Sequence, residues 1–200
     1  MEFSGTVSID GVSTEEVWLA LSDPVMIKQA LPGCQFLVAV EEGDVDFDAL
    51  AESTPDEDPS TLPEADPEDI AERAFVEGGR YAALMQISVG SVKPSFETVV
   101  NIDEREFPRM HASGEGSASS SSFEMSSGME LHETDDGVDV EWWAEADVFG
   151  RVAQMGQRVI NPVANRVVGR FFDKIEEQLR DVSTDEESSG GLRDRVSSLF

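Results

Sequence analysis

Two histidines, one cysteine and a crowd of carboxylates are the groups in this chain that could do polar chemistry. A histidine works as a general base or metal ligand when a second titratable or ligating group stands beside it. His111 and His132 each fall on the strand parity opposite the apolar side chains, so both are expected to point outward without a companion. Cys34 follows a Pro32-Gly33 turn. With no helix N-terminus or basic neighbour to favour its thiolate, it is expected to be buried and inert. As the single cysteine it excludes an internal disulfide and a cysteine metal cluster. The carboxylates between residues 41 and 74 lack the alternating Asp/Asn ligands and the glycine of an EF-hand loop. Gly114 and Gly116 lie between strands with no helix following, which argues against a phosphate cradle. No catalytic residue and no metal ligand is expected.

The other candidate chemistry is apolar. Met85, Ile87, Phe96, Phe123, Met125, Trp142, Phe149, Met155, Val159, Val163, Val167 and Phe171 form an inward set rich in soft, adaptable side chains. Methionine-rich surfaces repack around different apolar ligands. Taken singly, each of these residues reads as packed core. Taken together they read as a ligand cavity, because a curved sheet and one helix seldom fill each other; that preference leans on the resemblance described below. The inward polar groups are few: Tyr81, Thr98 and Ser127.

The elements that must hold these residues follow from periodicity. Phe3, Gly5, Val7 and Ile9 alternate as a strand with one buried face. Ser13 and Glu16 spell a capping box ahead of a helix whose apolar side is Val17, Trp18 and Leu21. Asp23-Pro24 starts a second short helix, which Pro32-Gly33 ends. Alternating runs then read as strands through Phe36–Val40, Tyr81–Val89, Phe96–Ile102, Met110–Gly114, Phe123–Leu131 and Val138–Val148, with a hairpin signal at Asp135-Asp136-Gly137. After a glycine turn at Gly150, Val152, Met155, Val159, Val163, Val167, Phe171, Ile175 and Leu179 recur at helical spacing. Pro162 either caps a new helix or kinks a continuous one. A kink or break is favoured, with the main helix over about residues 162–180. A meander with helices grouped at both ends predicts α+β, an antiparallel sheet curved around the last helix.

Residues 41–74 interrupt this pattern. They are dense in Asp and Glu, and Pro55, Pro59, Pro63 and Pro67 recur every four residues. Such a segment reads as an acidic, disordered insert in a hairpin loop, with room for a short helix capped by Asp66. The domain is expected over residues 1–181. Residues 182–191 read as a flexible linker. Residues 192–200 carry Leu192, Val196, Leu199 and Phe200 at helical spacing, either as a docking peptide or as a frayed end.

The whole chain has 42 acidic against 14 basic residues and a formal net charge of -28, with only three lysines. Such self-repulsion strains a compact state in dilute buffer, and molar salt removes most of it. The composition reads as that of a salt-adapted, halophilic protein; the alternative is an ordinary acidic protein with acidic tails. No basic stripe is present to meet phosphates, so nucleic acid is excluded as a partner. The start MEFSGTVSIDG lacks the basic and apolar runs of a signal peptide, and no stretch reaches the roughly 20 apolar residues of a membrane span. The expectation is a cytoplasmic protein, peripheral at a membrane if it meets one.

Three stretches carry a family resemblance: VWLALSDPVMIKQALPGC, with Trp18, Asp23-Pro24 and Leu31-Pro32-Gly33-Cys34; VGSVKPSF at residues 89–96; and ADVFGRVAQMGQRVI at 146–160, followed by Phe171-Phe172. SGEG at 113–116 adds to them. With the order strand, two short helices, meander, long helix, the chain resembles the carbon monoxide dehydrogenase G-subunit family of the START-like (SRPBCC), or helix-grip, superfamily. The departures are Pro162, the insert, and a serine run at 119–122. The resemblance implies a non-catalytic accessory protein of a molybdenum-containing dehydrogenase or related hydroxylase. It implies a role in enzyme maturation or membrane recruitment, and an apolar ligand such as a quinone or lipid-like molecule. It implies no covalently bound cofactor. Two rival readings are a cyclase- or hydrolase-type enzyme, which needs polar groups converging on the cavity, and a chaperone-like module for a client protein.

Overall fold

The computed structural model describes residues 1–55, 57–88, 93–118, 120–185 and 196. The chain opens with β1 (Glu2–Asp10), whose alternate residues Phe3, Gly5, Val7 and Ile9 turn inward. Two helices follow, α1 (Thr14–Ser22) and α2 (Pro24–Ala30). The Glu16 amide donates to Ser13 Oγ at 3.2 Å, and Glu16 Oε2 accepts from the Ser13 amide at 2.7 Å, which completes the capping box. Asp23 caps α2 through the Val25 amide at 2.9 Å, with Pro24 in the first turn. The turn into β2 (Cys34–Ala39) needs Gly33: its φ is +82°, and a Cβ there would stand 2.1 Å from the Gln86 carbonyl oxygen.

Beyond two helices α3 (Phe47–Ser53) and α4 (Pro67–Arg73), five long strands run as a meander: β3 (Arg80–Gln86), β4 (Ser95–Glu106), β5 (Arg109–Ala118), β6 (Ser121–Glu133) and β7 (Gly137–Gly150). All seven strands join one antiparallel sheet in the order β1-β7-β6-β5-β4-β3-β2. A 3-10 turn, Ala153–Met155, leads through Gly156 into α5 (Gln157–Asp185), which packs against α1 and α2. The principal core gathers Ile9, Val17, Trp18, Met26, Tyr81, Ile102, Leu131, Val140, Ile175 and Leu179 under these helices.

Four expectations need correction. The described residues of the insert at 41–74 fold, with α3 and α4 among them. Leu62 and Ile70 are buried in the principal core, and Phe47 stacks on Phe36 at 6.4 Å. Arg73 meets fully buried Asp23 in a two-pronged ion pair at 2.9 and 2.6 Å, and Lys28 holds Asp58 at 2.6 Å. A low average hydrophobicity concealed a few anchors that suffice to fold the segment. Next, α5 neither breaks nor restarts at Pro162, which lies in its second turn; Val152 and Met155 precede the helix. Further, residues 182–185 continue α5 instead of forming linker; 186–191 lie outside the described residues. Last, Val196 is fully buried in the principal core, so its side chain is not held out for a partner. Leu192, Leu199 and Phe200 lie outside the described residues. Among the described residues, no helix is long and apolar enough to cross a membrane.

Candidate ligand-binding site

The inner face of the sheet is a set of transverse rows fixed by strand register. One row runs Ala83–Thr98–Gly116–Phe123–Val148, the next Tyr81–Val100–Gly114–Met125–Ala146, and another Met110–Met129–Trp142–Gly5. Small residues alternate with large ones along this floor. Phe123 lies over Gly116, where a Cβ would be 2.3 Å from its Cε1. The same Cβ would be 2.9 Å from the Thr98 hydroxyl, which is buried and has no hydrogen-bond partner among the described residues.

Over this floor α5 presents Val159, Ile160, Val163, Ala164, Val167, Val168 and Phe171, all half-buried. The sheet residues beneath, Ala112, Met125, Met129, Ala144 and Ala146, are half-buried too. Only from Phe172 onward, through Ile175, Gln178 and Leu179, does the helix seal against its neighbours. Both sets keep partial exposure, and burial becomes complete only toward the C-terminal part of α5.

Two features of this region are defined. At one end Phe96 and Val152 form a second apolar cluster with Ile87, Ala118, Phe123, Val148, Met155, Val159, Ile160 and Val163. Along the β1 side a cleft of about 260 Å³ opens between Gly5, Val7, Trp142, Val168, Gly169 and Phe172, with Asn165, Asp173 and Glu176 adding polar groups. The Trp142 and Phe172 rings stand 6.1 Å apart.

Of the twelve side chains expected to line a cavity, Ile87, Phe96, Phe123, Met155, Val159 and Val163 come together in the second cluster. Trp142 and Phe171 pack against the principal core, and Trp142 also walls the cleft. Met85, Met125 and Val167 are half-buried. Phe149 is misplaced by the sequence reading. It pairs with Ser122 while its neighbour Val148 pairs with inward Phe123, so it stands on the other face of β7 and is 49% exposed. The sequence reading missed the cleft's own walls, Gly5, Val7, Val168, Gly169 and Phe172. The inward parity of Gly5 and Val7 was the available signal for the first two.

The titratable groups lie elsewhere. His111 Nδ1 is 3.1 Å from Glu104 Oε2 on the outer face, with its ring edge-on to Trp143 at 5.7 Å. His132 Nε2 is 3.3 Å from Glu141 Oε2. Burial pushes the Cys34 thiol up to about 11, and its Sγ donates to the Phe36 carbonyl at 3.3 Å. Tyr81 Oη accepts from the Val76 amide at 3.0 Å. Among the described residues no group of three His, Cys, Asp or Glu side chains could hold a metal ion.

The sequence profile of the carbon monoxide dehydrogenase G-subunit family, CoxG, matches residues 73–180, just over half of the chain. No curated protein matches the chain at a significant level. Among solved structures, a conserved protein of Geobacillus kaustophilus superposes with TM-score 0.66 at 20% identity, covering 92% of this chain and 97% of that one. A protein of Nitrosomonas europaea gives TM-score 0.54 at 12% identity, with 94% and 97% covered. The Zhui aromatase/cyclase of a Streptomyces species gives 0.55 at 10% identity, with 96% and 98% covered. At these identities the likeness is one of fold: the α+β helix-grip architecture, with the long helix lying in a curved sheet.

Proposed function

The chain belongs to the carbon monoxide dehydrogenase G-subunit (CoxG) family, and from that membership we propose that it is a non-catalytic accessory protein that carries an apolar molecule in the gap between its sheet and α5. The observation behind this reading is the pair of half-exposed apolar surfaces facing each other, with the cleft at Trp142, Gly169 and Phe172 opening beside them. A neutral quinone or lipid-like ligand suits walls made of Val, Met, Phe and Trp. The partner is a molybdenum-containing hydroxylase, whose maturation or membrane recruitment the protein assists from the cytoplasm. No covalently held cofactor is involved.

A cyclase-type activity would need polar groups converging on the gap. Tyr81 Oη already serves the backbone of Val76 and Ser127 Oγ donates to the Ala112 carbonyl, which leaves Thr98 as a single unpartnered inward hydroxyl among the described residues, not a convergent polar set.

The test is native mass spectrometry of protein purified from its own cells at high salt, followed by titration with ubiquinone and with a naphthalene probe. The Gly169→Trp variant is the control. Gly169 lines the cleft and nothing lies within 4 Å of a Cβ there, so the backbone accepts a side chain at this position, and a large one is expected to occlude the cleft. Uptake lost in a variant that melts as the parent does supports the site. Unchanged uptake refutes it.

A further inference from the structure

The solvent side of α5 breaks the charge rule of the rest of the molecule. Residues 148–172 contain Arg151, Arg158, Arg166 and Arg170 and not one Asp or Glu, in a chain with 42 acids. All four arginines are exposed. Arg158, Arg166 and Arg170 recur two turns and one turn apart along the helix. Elsewhere five bases are matched to carboxylates, Lys28 to Asp58, Arg73 to Asp23, Arg109 to Glu104, Lys174 to Glu177 and Arg180 to Glu176, while Arg80 donates to the Glu41 and Gly43 carbonyls and Arg105 lies over the Trp18 ring at 5.3 Å. Among the described residues none of the four arginines in this segment has a carboxylate within salt-bridge distance. Phe149, 49% exposed at the end of β7, precedes the segment's first arginine by two residues.

We infer that this arginine face is a docking surface for a second protein that presents carboxylates. These arginines correct the expectation that the chain has no basic stripe, and an acid-free basic strip on a molecule of net charge -28 is complementary only to an anionic partner. Two features choose protein over lipid. A helix that lies on a membrane turns its apolar stripe into the bilayer, whereas the stripe of α5, Val159, Val163 and Phe171, is turned against the sheet. The basic groups are all arginine, whose planar fork pairs with carboxylates in a two-pronged contact. Such contact pairs are less screened than diffuse attraction to a charged surface when the Debye length is only about 3 Å in molar salt. A second copy of this chain also offers acids, but an arginine face on an acidic face is a head-to-tail contact that does not close into a dimer.

The inference does not depend on the apolar ligand. A photoreactive residue in place of exposed Asn161, in the full-length protein in its own cells, should give an adduct with an acid-rich peptide of another protein. The Arg158→Glu, Arg166→Glu, Arg170→Glu triple variant should lose that adduct roughly tenfold or more while keeping its melting temperature and its uptake of the naphthalene probe. Reversing the crosslinked carboxylates of the partner to lysine should restore it. An adduct with lipid, with another copy of the chain or with a peptide lacking acids overturns the inference. So does an adduct indifferent to the triple reversal, or no adduct above that of a probe at Ser126.

Discussion

Gly5 and Trp142 are direct partners across the β1–β7 ladder, and the indole occupies the space that a side chain at position 5 would need: a Cβ there would stand 3.2 Å from Trp142 Cζ2. The missing side chain is what lets the tryptophan lie along the floor and wall the cleft against Phe172.

Gly5→Val should therefore push the indole into the cleft. Overpacking of this kind costs about 1–3 kcal/mol. Urea unfolding should show that loss, and tryptophan emission should shift with it. Emission identical to the parent would mean that Trp142 does not rest on Gly5.

Asp23 has no exposed surface and depends on Arg73, which reaches it from the insert. Removing one partner of a buried pair typically costs about 3–5 kcal/mol, because the other charge stays buried alone. Arg73→Met should destabilise by that order in chemical denaturation and make residues 57–72 sensitive to protease. Adding Asp23→Asn should recover much of the loss. A fully stable Arg73→Met would show that the pair does not hold the insert down.

Thr98 carries a buried hydroxyl beside Gly116 with no hydrogen-bond partner among the described residues. An unsatisfied buried polar group costs about 1–3 kcal/mol. Thr98→Val keeps the shape and removes the hydroxyl, so its melting temperature should rise. A fall would show that the hydroxyl is satisfied in solution.

Salt should control stability throughout. With 42 acids against 14 bases, repulsion reaches across the surface in dilute buffer. Lowering potassium chloride from molar to about 0.1 M lengthens the Debye length from about 3 to about 10 Å, and the melting temperature should drop steeply. A melting temperature indifferent to salt would remove the reading of a salt-adapted protein.

Local geometry was legible in the residues alone. Strict alternation placed Phe123, Met125 and Trp142 on one face of the sheet and His111 and His132 on the other, because successive side chains of a strand must point to opposite sides. Ser13 and Glu16 announced the start of α1, and Asp23-Pro24 the start of α2, since a helix end needs its own nearby donors and acceptors satisfied. Only the tertiary structure decided the rest. The insert folds because Arg73 finds Asp23 fifty positions earlier and Ile70 finds the principal core. The burial of Val196 and the passage of α5 through Pro162 likewise depend on what packs against them. The room under α5 that the proposed site needs depends on how far the helix stands off a floor paved with Ala112, Gly114, Ala144 and Ala146. Periodicity reports which side a residue faces; the distance to the opposite wall is a sum over contacts between segments remote in the chain, and no local pattern records it.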